Sequence, residues 1–79
     1  MVDVYDSLGN NVIDIRYIMG ANDEPVPNDG VCISVKRAQL YGWQIYLVNN
    51  ISKNKGIYIR NWYQSDTCTE WHKMESLAI

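Results

Sequence analysis

Val31-Cys32-Ile33-Ser34-Val35-Lys36 sets apolar and polar residues in strict alternation, and its apolar members are all β-branched. A strand sends successive side chains to opposite faces, so a period of two predicts a half-buried strand with Val31, Ile33 and Val35 turned inward. A helix would need apolar residues three and four apart, and no window of the chain sustains that spacing. Toward the N-terminus, Val12 to Met19 repeats the alternation, with Ile13, Ile15, Tyr17 and Met19 on one face and Asp14 and Arg16 on the other. Ser7-Leu8-Gly9-Asn10-Asn11 before it reads as a turn, and Val2 to Tyr5 as a short β-prone opening. Gly20 to Gly30, with Pro25 and Pro27, reads as a loop. Toward the C-terminus, Arg37 to Gly42 leads into a strand over Trp43 to Val48. The polar stretch from Asn49 to Gly56 connects it to another over Ile57 to Trp62, and a short closing run spans Glu70 to Met74. Short strands at hairpin spacing predict an all-β or β-dominated fold: one small antiparallel sheet of about five short strands with long loops.

With 79 residues the chain makes a single small domain over 1–79. A domain of this size buries only about 60–65% of the surface its unfolded form exposes, so its core is thin unless other subunits or further chain complete it. A piece of a longer fibre protein is one expectation, with residues 1–26 the segment least tied to the pattern. The aromatic set is six Tyr, three Trp and no Phe, a choice suited to half-exposed and interfacial positions. A net charge of −2 with both signs scattered, and no basic run beyond Lys36-Arg37, argues against a nucleic-acid groove. No apolar run is long enough to span a bilayer, and Asp3 and Asp6 stand where a secretory leader would be basic. Cys32 and Cys68 form no disulfide framework and are expected to be free thiols.

His72 lies four residues after Cys68, but a structural zinc site needs four ligands and a thiol–imidazole pair needs an orienting third group. Asp23, Glu24 and Asp29 crowd one loop without the spacing of a calcium loop, and read as solvated acids. The glycines are isolated, so no phosphate cradle is expected. The chain is therefore read as a non-enzyme with no catalytic residue, metal or cofactor.

The last third offers a different chemistry. In Ile57-Tyr58-Ile59-Arg60-Asn61-Trp62, alternation puts Tyr58, Arg60 and Trp62 on one face, opposite Ile57 and Ile59. The polar loop Gln64 to Cys68 returns the chain and brings Trp71 near Trp62. Flat rings stack on the apolar face of a sugar while amides and carboxylates bond its hydroxyls. Arg60, Asn61, Trp62, Tyr63 and Asp66 are thus the candidate ligand-binding residues, with Trp71 read as a closing piece of the fold and Arg60 packed on an indole.

Four stretches carry a resemblance: Pro27-Asn28-Asp29-Gly30-Val31 leading into Val35, Trp43-Gln44-Ile45-Tyr46, Ile57-Tyr58-Ile59-Arg60, and Thr69-Glu70-Trp71-His72-Lys73-Met74. Over residues 27–74 the chain resembles the pyocin-knob type of module found in tail fibres of phages and phage-like bacteriocins. It departs from that pattern near its start, where Ile15-Arg16-Tyr17-Ile18 stand in for a Gly-aromatic strand. The resemblance implies a receptor-binding or spacing module of a virion tail, made in the host cytoplasm. Its implied partners are a host cell-surface saccharide and a homotrimer or neighbouring tail subunits. The alternative is a structural protein–protein assembly module of a tail or other multi-subunit complex, in which the same aromatics pack against neighbours.

Overall fold

A computed structural model describes residues 1–26, 29–39, 41–49, 56–64 and 67–74. The chain opens with a helix, α1 (Val2–Ser7), followed by β1 (Val12–Ile18), β2 (Gly30–Ala38), β3 (Tyr41–Val48), β4 (Ile57–Gln64), β5 (Thr67–Cys68) and β6 (His72–Met74). The strands form one antiparallel sheet in the order β1-β2-β3-β4-β5, and β6 also pairs with β4. The two short strands share the outer edge of β4: Cys68 lies opposite Trp62, while Met74 lies opposite Ile57. A β-dominated antiparallel sheet is thus confirmed, with β5 formed inside what reads in sequence as a polar loop.

Two of the expected elements are different. Val2 to Tyr5 is helical, not extended. Six residues of Val, Asp, Tyr and Ser have little intrinsic helicity and are far too few to hold a helix alone. Tertiary contacts hold it. Asp23 accepts from the Met1 ammonium and, at 2.9 Å, from the Val2 N–H, and so caps the helix from 21 residues away. Tyr5 is fully buried, stacked on Trp62 with ring centroids 3.6 Å apart, and its hydroxyl donates to the Ala38 carbonyl at 3.0 Å. Gly42 lies beneath this ring, where a Cβ would come within 2.6 Å of Tyr5 Cε2.

The second difference is the direction of the faces. The register pairs Arg16 with Cys32, Cys32 with Tyr46 and Tyr46 with Tyr58; likewise it aligns Ser34, Gln44 and Arg60. This is the covered face, roofed by α1 and the 20–26 segment. Cys32, Ser34, Lys36, Gln44, Tyr46 and Arg60 are all buried on it, so Val31, Ile33 and Val35 point away from the roof and not inward. Met1, Ile18, Cys32, Tyr46 and Val48 make the apolar core, with Ala21, Val26, Tyr58 and Trp71 packed around them. Polar groups share that space because they are paired: among the described residues, no buried side-chain N or O lacks a hydrogen-bond partner.

Residues 1–26 are integral to this arrangement. β1 pairs along its length with β2 from Val12–Lys36 to Ile18–Gly30. Asn11 enters it with φ of 60°, a conformation Asn tolerates, and Gly20 leaves it with φ of 71°.

Candidate functional site

Of the residues nominated by sequence, Arg60 and Trp62 lie under the roof. Arg60 is 5% exposed and Trp62 is 3% exposed. The Arg60 guanidinium donates from Nε to Gln44 Oε1 at 3.0 Å, and from Nη2 to Gln44 Oε1 at 2.7 Å and Asp23 Oδ2 at 2.8 Å. Its carbon sits 4.2 Å from the ring centroid of Trp71 and 5.4 Å from that of Trp62. The expected packing of Arg60 on an indole is therefore present, on both tryptophans. Trp71 does close the fold, its Nε1 donating to the Asp23 carbonyl at 2.7 Å. The same contacts withdraw Arg60 and Trp62 from ligand. The guanidinium is engaged by protein acceptors, and one face of Trp62 is covered by Tyr5.

Asp23 organises this cluster. Burial alone would raise its pKa, but hydrogen bonds from Arg60, the Met1 ammonium and the Val2 N–H, with the ammonium charge, hold it well below the usual carboxylate range. Its neighbours in the loop are also committed to protein donors. Glu24 accepts from the Tyr46 hydroxyl at 2.8 Å, and Asp29 from the Gly20 N–H at 3.3 Å. Burial and the adjacent Glu24 push the Tyr46 phenol far above its ordinary value of 10.0. The acidic loop is a set of anchors, a role invisible in sequence because Asp23 and Arg60 are 37 residues apart.

The remaining nominees divide. Asn61 is half-buried and bound to Thr69, whose N–H donates to the Asn61 carbonyl at 2.8 Å. Tyr63 is 53% exposed. Asp66 lies outside the described residues. Cys32 and Cys68 are free, and no group of three or more His, Cys, Asp or Glu among the described residues is placed to hold a metal. No helix among them is long and apolar enough to cross a membrane.

The largest chemical feature is on the other side of the sheet. Three cross-strand rows cover it: Ile13-Val35-Trp43-Asn61, Ile15-Ile33-Ile45-Ile59-His72 and Tyr17-Val31-Leu47-Ile57-Met74. Every member is apolar or aromatic except Asn61 and His72, and none is Asp, Glu, Lys or Arg. Ile13 (68%), Ile15 (67%), Tyr17 (54%), Trp43 (45%), Ile57 (45%) and Met74 (54%) are exposed. Beyond the first row Arg37 stacks on Tyr41 at 5.8 Å and supplies charge at one end. Strands about 4.8 Å apart and rows about 6.8 Å apart give this face a footprint on the order of 500 Å². That is the size of the largest apolar patch on a typical single-chain protein, about 300–600 Å², and such patches are often functional.

The signal for this face was present in the sequence, in the very alternation that located the strands. Alternation defines two faces but does not say which is roofed. Compared with known proteins, the chain matches no family model, no curated protein and no solved structure.

Proposed function

We propose that this protein is a non-catalytic assembly module that presents its open sheet face to another protein surface. The observation that carries the reading is the inverted partition of the sheet. Ser34 and Lys36 of β2, Gln44 of β3 and Arg60 of β4 are buried and hydrogen-bonded beneath the roof, while the isoleucine-rich phase of the same strands is left uncovered. Burial of apolar area is the main driving force for association, and here most of the unspent apolar area lies on one surface. The neighbouring-subunit alternative inferred from sequence is the one supported by this geometry.

A photoreactive amino acid placed at Ile45, in the middle row, tests it in cells that make the protein. Irradiation is expected to yield protein adducts from Ile45. The same residue at Asp3, whose side chain is 92% exposed on the roofed side, is expected to yield few. Equal adduct yields at the two positions, or none at Ile45, would refute the reading.

Adhesion to a host-surface saccharide is a second reading, resting on Tyr63, which remains exposed beside Asn61. It needs no contribution from Arg60 or Trp62. Glycan-array binding that is lost in Tyr63→Ala would favour it.

A further inference from the structure

We infer that the occupant of the open face is a second copy of this chain, the two sheets packing face to face about a two-fold axis. The inference rests on the assembly reading and names its partner.

Charge and layout both suit self-association. A surface that complements an uncharged isoleucine field is itself uncharged and apolar, and the face is such a surface. A two-fold contact places the same patch on both sides, which is unfavourable for any patch carrying net charge. None of the three rows contains Asp, Glu, Lys or Arg, so no like-charge pair of these residues arises among the row members, and Arg37 lies beyond them at one end.

The layout is equally permissive. Ile33 and Ile45 lie opposite each other at the centre, with Ile15 and Ile59 continuing the row. The larger or polar members, Tyr17, Trp43, Asn61, His72 and Met74, lie in the outer rows or on the outer strands. The centre is thus wholly apolar, as at the core of a protein interface, and the few polar groups are at its margin. Facing sheets pack about 10 Å apart, a distance that two layers of isoleucine fill.

The area is sufficient. A footprint on the order of 500 Å² on each copy gives about 1,000 Å² in total, the threshold for a specific interface, before the relief of the side chains is added. The Cα extents of 34 × 28 × 18 Å show why the broad side matters: the chain is a slab, and stacking two slabs turns the apolar side of each into an interior.

Sedimentation equilibrium of the full chain across a concentration series, up to about 1 mM subunit, tests the inference. Wild type is expected at twice the chain mass of 9.1 kDa. Ile15→Lys on the edge strand and Ile45→Lys in the centre are each expected to shift the population to 9.1 kDa, weakening the dimer roughly a hundredfold or more, because two-fold symmetry introduces each ammonium twice. Far-UV circular dichroism must stay native in the variant used. Ile15, already 67% exposed, provides that variant if Ile45→Lys unfolds. A wild-type monomer at the highest concentration, a trimer, or a dimer that survives both substitutions would overturn the inference. A monomer whose Ile45 photoadducts in cells carry a different polypeptide would remove the second copy but leave the assembly reading. Absence of any protein adduct would remove both.

Discussion

Replacing Gly42 by alanine sets two physical effects against each other, and the structure says which is larger. In a strand interior, Gly→Ala on its own is favourable by about 0.5–1 kcal/mol, because glycine loses the most backbone freedom on folding. In this sheet the new methyl group meets Tyr5, with Cε2 at 2.6 Å and Cζ at 2.7 Å from the Cβ position. Those distances are closer than real Cβ contacts, so the ring must leave. Its departure forfeits about 1.5–3 kcal/mol of side-chain burial, about 0.5–1.5 kcal/mol for the parallel stack on Trp62 and about 1 kcal/mol for the hydroxyl bond to Ala38. Partial relaxation recovers some of this, and a net loss of about 3 kcal/mol is expected. Domains of this length hold only about 4–12 kcal/mol in all, so the change is large. Urea unfolding followed by tryptophan fluorescence should show the midpoint falling by about 2–3 M, given a slope near 1 kcal/mol/M. In a Tyr5→Ala background the same Gly42→Ala change should cost nothing or add slightly to stability, since the clash partner is gone. An unchanged or raised midpoint in the single variant would refute the account of how α1 is seated. So would an undiminished cost in the double variant.

Asp23→Asn should destabilise the fold by about 2–3 kcal/mol, less than the roughly 3–5 kcal/mol for breaking a fully buried ion pair because the Asp23 side chain is 31% exposed. The pH dependence follows from the depressed pKa. The stabilisation is fully present above the unfolded value near 3.8 and is lost as pH falls through the lower folded value. Wild-type melting temperature should therefore fall steeply below about pH 4, and Asp23→Asn should flatten that limb; an equally steep variant would exclude Asp23 as its source. Thiol labelling of the native protein should be slow at Cys32, which is fully buried with its pKa pushed up by that burial, and faster at the half-buried Cys68. Mass spectrometry of partially labelled protein that finds Cys32 modified first would contradict the roof over it.

The strands were legible because β-structure writes its period locally. Val12–Ile18, Gly30–Ala38, Tyr41–Val48 and Ile57–Gln64 all carry it, and the antiparallel order follows from their spacing. Which face is interior was not legible. That choice is made by the roof, and the roof is built from contacts between distant residues: Asp23 with Arg60, Trp71 with the Asp23 carbonyl, Gln44 with the Met1 carbonyl. Hydrophobicity pointed the wrong way, since Ser34, Lys36, Gln44 and Arg60 look like surface residues until their partners are known. The same blindness promoted Arg60 and Trp62 to ligand contacts. Tyr63, nominated with them, is an exposed ring. α1 escaped because six residues are too few to show a helical period, and what stabilises it is elsewhere in the chain.

The long reach of the roof contacts has a consequence for the order of events in folding. β1 to β4 form a meander in which each strand pairs with its successor, and hairpins of this kind close in about 1–10 μs. The layer above them cannot follow at that pace. Met1 and Tyr5 leave the ribosome before the strands, yet their partners include Gln44, Trp62 and, through Asp23, Arg60 and Trp71. On a growing chain the opening helix can reach Lys36 and Ala38 of β2 early, but its stack on Trp62 and the Asp23–Arg60 anchor wait until nearly the whole sheet has emerged. For that interval the nascent meander has two uncovered sides, one with Lys36 and Gln44 bonded to water and the other lined with isoleucine. The vulnerable species during synthesis is thus a bare sheet, and its lifetime is set by the arrival of residues 60–71 at the tunnel exit.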